Sequence, residues 1–447
     1  MRTLFFVSPL AALPCLLYAE PAKVSVVGEW QVRIEAGSIS VGERQATLAA
    51  PVTLEVAPST VLEVKDEAYE KLPVFNPKAG GWIRGAQLRG VKCQECTARF
   101  LLDPQSFHLK KEKGAAAEWQ RGVDYEIDLE WGTFGRLEGG AMTVESKAYA
   151  DYRHGLARLD TVVVTAAGQA LIRPGTPEVA TPKPPAPVAG DLPVCNVYTT
   201  SRQAKLSGAA LFPLLELAYP EPSVESPTPA ERVLPKTLAK LRSGEKVRVL
   251  AWGDSVTQAG YLPHPDNRWQ VQFVTRLKER FPKADIELLH LGWGGRNTSS
   301  FLAEPPGSAY NYQEKVLGAK ADLVVSEFVN DAWMNPVQTK ERYSKLLTDF
   351  QANGAEWIIL TPHYVRPEWM GLTSERDCDE DPRPYVQALR VFASENPVAL
   401  ADASKRYGRL WRMGIPYNSL MMNAINHPNP FGMKLFAEAI MALFPER

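Results

Sequence analysis

The sequence lacks a charge excess of either sign and an apolar run long enough to span a membrane. Its 447 residues carry 50 lysines and arginines against 51 aspartates and glutamates, a formal net charge of −1. This balance excludes the basic footprint of nucleic-acid-binding proteins and the polybasic anchor of proteins that attach to acidic membranes. We therefore expect neither a nucleic-acid nor a membrane partner, while the oligomeric state stays open.

Cysteine is also scarce, with five residues in the chain. Cys93 and Cys96 form a single Cys-x-x-Cys motif, and zinc would need two more ligands at a suitable spacing, which the neighbouring sequence does not offer. The sequence thus predicts no metal and no organic cofactor. In an exported protein an oxidised Cys93–Cys96 pair is expected, whereas Cys195 and Cys378 either pair or stay free.

Residues 1–19 have the pattern of a secretory signal peptide. Arg2 gives a positive start, the following run to Tyr18 is apolar, and Ala19 precedes a suitable cleavage point. The run is short for a transmembrane helix. The pattern predicts a secreted or periplasmic protein, and the alternative interpretation is a buried N-terminal segment.

Residues 20–171 are predicted to form a β-rich accessory domain. Short alternating apolar runs are separated by Gly, Pro and Asn turns, a spacing typical of an antiparallel sandwich or barrel; they cover residues 23–27, 30–34, 46–48, 61–64, 98–102, 125–129 and 158–165. Its tryptophans are interpreted as core residues, with a sugar-stacking platform as the alternative. Residues 172–193 are rich in proline, which predicts an extended linker.

Residues 194–447 are predicted to form an α/β domain. From Lys246 onward strand-like runs alternate with helical ones, a pattern that gives a mostly parallel sheet covered on both faces. The strands are expected at 246–252, 286–292, 322–328, 357–361 and 398–401, and the helices at 227–242, 270–281, 341–352, 385–394 and 432–443.

Polar and glycine residues follow several of these strands, where open α/β sheets bind their ligands. Gly253-Asp254-Ser255 comes directly after the first strand. Alone this tripeptide is weak evidence for a catalytic site, because glycine, aspartate and serine are ordinary turn residues. Three further segments complete a set in the order serine, glycine, asparagine, histidine, and they are Gly292-Trp-Gly-Gly295, Asn330-Asp331 and Asn426-His427.

Together these segments resemble the four blocks of the SGNH (GDSL-type) hydrolase family over residues 246–445. The resemblance implies a flavodoxin-like three-layer α/β/α fold and ester hydrolysis through an acyl-serine. Ser255 matches the nucleophile and His427 the general base. The backbone N–H groups of Ser255 and Gly295 and the side chain of Asn330 match the oxyanion hole.

The chemistry of these residue types agrees with those roles. A serine hydroxyl is a poor nucleophile until a base within hydrogen-bond reach takes its proton. Histidine suits that task because its unperturbed pKa lies near neutral. Fixed N–H donors stabilise the oxyanion of the tetrahedral intermediate, and losing one typically costs about 3–4 kcal/mol.

Two positions depart from the family pattern. Phe328 stands where the family usually has glycine, a change in packing more than in chemistry. Ala424 stands three residues before His427, where the family places its acid. His427 must therefore be oriented by a backbone carbonyl, by Asn423 or Asn426, or by an acid elsewhere in the fold.

The sequence predicts a secreted serine esterase that hydrolyses short acyl esters, in particular O-acetyl esters, on a small-molecule or polysaccharide substrate. The segment from Gly294 to Phe301 resembles the second block of the family's polysaccharide acetylesterases. One alternative is a lipid or thioester hydrolase on the same fold. The other is a catalytically decayed glycan-binding or cell-surface protein, an interpretation that Ala424 favours and the four retained blocks oppose.

Overall fold

The computed structural model describes residues 22–200, 203–223 and 225–446. The predicted signal peptide lies outside these residues. Within them, no helix is both long enough and apolar enough to cross a membrane.

The N-terminal region is mostly β, as predicted. Burial alternates along strands such as β2 and β11, whereas β14 is buried at every position, and all strand pairings in the sheets are antiparallel. The strands are β1 Val24–Val26, β2 Gln31–Ile34, β3 Gly37–Val41, β4 Arg44–Leu48, β5 Val52–Glu55, β6 Val61–Tyr69, β7 Ala86–Gln87, β8 Lys92–Cys93, β9 Cys96–Thr97, β10 His108–Lys110, β11 Tyr125–Asp128, β12 Thr133–Arg136, β13 Ala148–Gly155, β14 Arg158–Val164, β15 Ala170–Arg173, β16 Leu192–Thr199 and β17 Leu211–Pro213.

These strands enclose two apolar cores. The sheet β15-β14-β16-β17 packs with the first five strands around one core. The sheets β10-β13-β6 and β11-β12-β7 surround the other, in which Phe134 and Leu109 are fully buried. The two-residue strands β8 and β9 form a hairpin beside this second core.

The predicted linker at 172–193 lies inside the β-region instead of after it. Residues 174–191 connect β15 to β16, and both of these strands pair with β14. Prolines keep the connection irregular, but the apolar side chains of β16 complete the sheet, so the β-region continues to Pro213.

The strand predicted at 98–102 is also absent. The backbone turns at Arg99 and Phe100, where Phe100 has φ of 62°. The apolar residues that suggested a strand, Leu101 and Leu102, are buried in the core as part of a loop.

The C-terminal domain has a five-stranded parallel sheet in the order β19-β18-β20-β21-β22. In chain order this is 2-1-3-4-5, the flavodoxin-like arrangement that the sequence predicted. Its strands are β18 Lys246–Gly253, β19 Asp285–Gly292, β20 Leu323–Glu327, β21 Glu356–Leu360 and β22 Ala399–Ala401. Its helices are α1 Pro229–Val233, α2 Pro235–Ser243, α3 Ser255–Gln258, α4 Trp269–Arg280, α5 Thr298–Ala303, α6 Pro336–Ala352, α7 Pro384–Glu395, α8 Ala403–Gly408 and α9 Pro430–Met441.

The central strand β18 shows why the domain has three layers. Val247 and Val249 face a core formed with α2, α4 and α9, whereas Leu250 and Trp252 face another formed with α5, α6 and α7. A parallel strand buried on both faces is apolar along its length, which is the pattern that identified it in the sequence.

The helix predicted at 227–242 is divided into α1 and α2. Pro235 cannot donate to the preceding turn, so α1 ends and α2 begins there. The N-cap of α1 is Thr228, which forms a reciprocal capping box with Glu231. Gly244 ends α2 in a left-handed conformation, with φ of 85°.

All four cysteines of the described residues are free and buried. Cys93 and Cys96 lie opposite each other across the β8–β9 hairpin but are not bonded, contrary to the expected oxidised pair. Burial raises the pKa of each of these two thiols to about 12, so neither is activated as a thiolate near neutral pH.

Candidate active site

Ser255 lies where β18 ends and α3 begins. Asp254 is the N-cap of α3, and its side chain accepts a hydrogen bond from the N–H of Val256 at 3.0 Å. This short turn holds Ser255 half-buried at the carboxyl edge of the sheet, the edge at which open α/β sheets bind their ligands.

The loop before α9 brings His427 to the same place. Its Nε2 lies 3.1 Å from Ser255 Oγ, across 172 residues of sequence. The ring is stacked on Tyr261, with centroids 4.3 Å apart and planes 4° from parallel. His427 is 6% exposed, so its position is fixed by packing on one face and by the serine at one edge.

The loop that carries His427 is shaped by Asn423. Its Oδ1 accepts hydrogen bonds from the backbone N–H groups of Ile425, Asn426 and His427 at 2.8–3.0 Å. His363 is fully buried, and its Nε2 contacts the carbonyl of Asn426 at 2.8 Å. Asn423 therefore holds the backbone of the loop, and the group that orients the ring comes from elsewhere.

That group comes from the β-region. The Nδ1 atom of His427 lies 2.7 Å from Oε1 of Gln94 and 3.4 Å from Oε1 of Glu95, at the tip of the β8–β9 hairpin. Neither residue was predicted from the sequence as part of the site, because both appear there only as the middle of the Cys-x-x-Cys motif. Ala424 was the one signal in the sequence. It indicated that the usual acid that orients His427 was missing, but not which residue replaces it.

Gly295 and Asn330 are brought beside the serine by the ends of β19 and β20. The N–H of Trp293 donates to Gly253 O at 3.0 Å, and this bond ties the glycine turn to the serine strand. Gly295 has φ of 71°, a left-handed conformation that glycine adopts without strain. Nδ2 of Asn330 donates to Arg296 O at 3.1 Å, so that the amide is aimed into this turn.

Three buried carboxyl groups lie beneath these turns. Burial raises the pKa of Asp254 to about 7 and that of Asp331 to about 6, and it raises the pKa of Glu327 well above its usual value. Asp254 also accepts from the N–H of Asn330 at 2.9 Å, which links the serine turn to the asparagine turn. Asp331 accepts from Thr298 Oγ1 at 3.1 Å, so Asp254 and Asp331 brace the turns of the site from beneath.

Phe328 occupies the position where glycine was expected. It is 1% exposed and packs edge-on against Trp252 at 4.8 Å between centroids. The departure at this position therefore fills the core behind the asparagine turn and leaves the turn itself intact.

The resulting arrangement has the elements of acyl transfer. A hydroxyl faces a basic nitrogen, and burial lowers the pKa of that histidine, which keeps the ring neutral near pH 7. A turn with a left-handed glycine and an asparagine with its side-chain amide are both tied by hydrogen bonds to the serine turn. Within the described residues, no group of three or more His, Cys, Asp or Glu side chains is placed to hold a metal ion.

Aromatic side chains lie in or next to the glycine and asparagine turns. Trp293 stacks on Tyr310 with centroids 4.3 Å apart and planes 1° from parallel, and the guanidinium of Arg296 lies over the Trp293 ring. Trp333, three residues after Asn330, is 57% exposed. The faces of the Trp293 ring are thus covered by Tyr310 and Arg296, whereas Trp333 presents an exposed apolar surface after the asparagine turn.

Residues 251–435 match the family model described as GDSL-like Lipase/Acylhydrolase family. The resemblance predicted for the C-terminal domain is thereby confirmed over this span, and the protein is an ester-hydrolysing enzyme with an SGNH hydrolase domain behind a mostly-β region. No curated protein matches the chain.

Solved structures with partial similarity to the chain include three esterases or hydrolases. LAE5, an alpha/beta hydrolase enzyme from the metagenome of Lake Arreo, Spain, is 20% identical, with 44% of this chain and 94% of that chain covered and a TM-score of 0.36. A two-domain esterase (CEX) active on acetylated mannans is 18% identical, with 47% and 51% covered and a TM-score of 0.37. Axe2, an acetylxylan esterase from Geobacillus stearothermophilus, is 18% identical, with 44% and 95% covered and a TM-score of 0.36.

Proposed function

We propose that this protein hydrolyses short acyl esters, in particular O-acetyl esters on carbohydrates, through an acyl-serine intermediate. Ser255 is the nucleophile in this proposal and His427 is the general base. The backbone N–H groups of Ser255 and Gly295 and the side-chain amide of Asn330 form the oxyanion hole. The observation that carries the proposal is the 3.1 Å contact between His427 Nε2 and Ser255 Oγ.

Acylation begins when Ser255 Oγ attacks the ester carbonyl carbon while His427 Nε2 takes the hydroxyl proton. The carbonyl oxygen becomes negative and is held by the three N–H donors. As the tetrahedral intermediate collapses, the bond to the alcohol oxygen breaks, and the imidazolium returns its proton to that oxygen. The alcohol leaves, and the acyl group remains on Ser255.

Deacylation repeats these steps with water. His427 takes a proton from the water molecule, whose oxygen attacks the acyl carbon. The second tetrahedral intermediate uses the same oxyanion hole and breaks the bond to Ser255 Oγ, which regains the proton. One carboxylic acid is released per cycle, and the enzyme returns to its starting state.

Two features support a carbohydrate ester as the substrate. The exposed ring of Trp333 offers a flat apolar surface, against which the apolar face of a sugar ring packs. Residues 294–301 resemble the second block of polysaccharide acetylesterases. Export through residues 1–19 would place the enzyme where polysaccharides occur.

The test is hydrolysis of p-nitrophenyl esters of two to eight acyl carbons by the mature protein and its Ser255→Ala variant. Ser344→Ala, a position on the solvent side of α6, is the matched control. We expect the parent and the control to be equally active and fastest on acetate, and Ser255→Ala to lose turnover by several orders of magnitude. Mass spectrometry of the same preparation should place the mature N-terminus at Glu20.

Release of acetate from acetylated polysaccharides by the same three proteins tests the substrate class. Activity that rises with acyl length would point to the lipid or thioester alternative. Turnover that survives in Ser255→Ala would reject Ser255 as the nucleophile, and glycan binding by a parent protein without turnover would support the decayed-site alternative.

A further inference from the structure

We propose that the N-terminal β-region completes the catalytic site, because the tip of its β8–β9 hairpin supplies the two residues that position His427. Gln94 fixes the tautomer and the plane of the ring, and Glu95 holds the positive charge that the ring gains during catalysis. The inference rests on the proposed function and extends it to residues outside the hydrolase domain.

The contact with Gln94 decides which ring nitrogen carries the proton. The Nδ1 of His427 lies 2.7 Å from Oε1 of Gln94, an atom that can only accept a hydrogen bond. Nδ1 must then carry the proton of the neutral ring, which leaves the lone pair of Nε2 facing Ser255 Oγ. This is the tautomer that a general base for Ser255 requires.

Glu95 supplies a negative charge beside the ring, which the neutral amide of Gln94 cannot. When His427 takes the proton of Ser255 it becomes an imidazolium, and a carboxylate beside it stabilises that charge. Oε1 of Glu95 lies 3.4 Å from Nδ1, and Nδ2 of Asn423 donates to the same oxygen at 3.2 Å. The Glu95 carboxylate is therefore held next to Nδ1 of His427, the ring atom that lacks the usual acid.

The hairpin is packed firmly against the histidine loop. Cys96, Trp131 and Ile425 form one apolar cluster across the two regions, each no more than 5% exposed. The side chain of Gln87 donates to the carbonyl of Glu95 at 2.9 Å, which fixes the turn from inside the β-region. An ion pair between Arg99 and Glu368 joins the two regions nearby.

The backbone at Gln94 also favours a role for its side chain. Gln94 has φ of 43°, a left-handed conformation that glycine adopts at no cost and that other residues adopt with strain. If the turn served only to connect β8 and β9, glycine would be the most favourable residue at this position. The amide that occupies it reaches the catalytic histidine.

The experiment compares Gln94→Ala, Gln94→Glu and Glu95→Gln with the parent, and Lys92→Ala is the control from the exposed side of the same hairpin. Alanine and glutamine share a Cβ, so the backbone strain at position 94 is unchanged. For Gln94→Ala we expect kcat to fall at least about tenfold with KM nearly unchanged, short of the roughly 10⁴-fold loss caused by a wrong tautomer. Gln94→Glu should keep or exceed the parent kcat.

The pH profile separates positioning from a merely structural role. The side chain of Glu95 faces the His427 ring from the hairpin. His363 and Tyr261 face the ring from the hydrolase domain, and Ser255 lies at its Nε2 edge. Of these, the Glu95 carboxylate raises the pKa of His427. We therefore expect Glu95→Gln to lower kcat and to move the acidic limb of kcat/KM to lower pH, and Gln94→Glu to move it to higher pH.

A second measurement does not depend on turnover. In the full-length protein labelled with ¹⁵N-histidine, the ring signals of His427, assigned with a His427→Gln variant, should report a proton on Nδ1. In Gln94→Ala we expect a mixture of the two tautomers, because Glu95 still faces Nδ1, and in Lys92→Ala the parent tautomer should persist. An unchanged tautomer and an unchanged kcat in Gln94→Ala would overturn the inference. A parent without esterase activity would overturn the proposed function alone, since the ring signals still decide how His427 is held.

Discussion

Replacement of Asp254 by asparagine should make the stability of the protein less dependent on pH. Asp254 is fully buried beneath the serine turn, and its two carboxyl oxygens accept from the N–H groups of Val256 and Asn330. Burial raises its pKa from 3.8 to about 7. Asparagine has nearly the shape of the protonated acid but does not titrate.

The sign and the size of the effect follow from that pKa. Between pH 5 and pH 7 the unfolded chain has lost this proton and the folded chain keeps it, so the free energy of unfolding of the parent falls as the pH rises. The loss amounts to about 1.36 kcal/mol for each pH unit and levels off near pH 7, so Asp254 alone removes about 3 kcal/mol between pH 5 and pH 8. Asp254→Asn lacks this loss. At pH 5 it should be about 1–3 kcal/mol less stable than the parent, because its NH₂ group faces one of the two N–H donors.

The assay is urea unfolding at pH 5, 6, 7 and 8, followed by the fluorescence of tryptophans that include Trp252 and Trp357 in the core of the hydrolase domain. Asp285→Asn, at the exposed start of β19, is the control. We expect the deficit of Asp254→Asn at pH 5 to close or reverse by pH 8. A deficit that is equal at both pH values, or larger at pH 8, would refute the assignment of a raised pKa to Asp254.

Two further predictions concern the catalytic step. Asn330→Ala should lower kcat by about 10²–10³-fold with little effect on KM, since a lost oxyanion donor costs about 3–4 kcal/mol in the transition state; a change confined to KM would make Asn330 a substrate-binding residue instead. The acidic limb of kcat/KM should lie below pH 6.5, because burial lowers the pKa of His427 and the neutral ring is the base. The limb should remain in Asp254→Asn, and a limb at higher pH would contradict the assignment to His427.

Much of the hydrolase domain was predictable because its signals are local. Each strand of the parallel sheet is an apolar run, and the strand-helix alternation admits few topologies. Ser255, Gly295 and Asn330 come after three of those strands, so their meeting at one edge of the sheet is a consequence of the fold class. His427 was predicted from its block of the resemblance, and the structure brings it to Ser255.

The boundary of the β-region was less predictable for a physical reason. The proline-rich segment before β16 has the composition of a linker, and composition records only that a segment lacks regular structure. Whether the chain leaves a domain at such a segment depends on the pairing of the next strand. Here β16 pairs with β14 and returns the chain to the sheet it had left.

The parallel sheet, the serine at its edge and the missing acid at position 424 could therefore be read from the sequence, since each depends on residues close together in the chain. What replaces that acid could be learned only from the folded chain. Gln94 lies 333 residues before His427, and no periodicity or spacing relates two such positions. Their contact exists because Cys96, Trp131 and Ile425 bury a common apolar surface between the two regions, and packing between distant segments is a property of the whole folded chain.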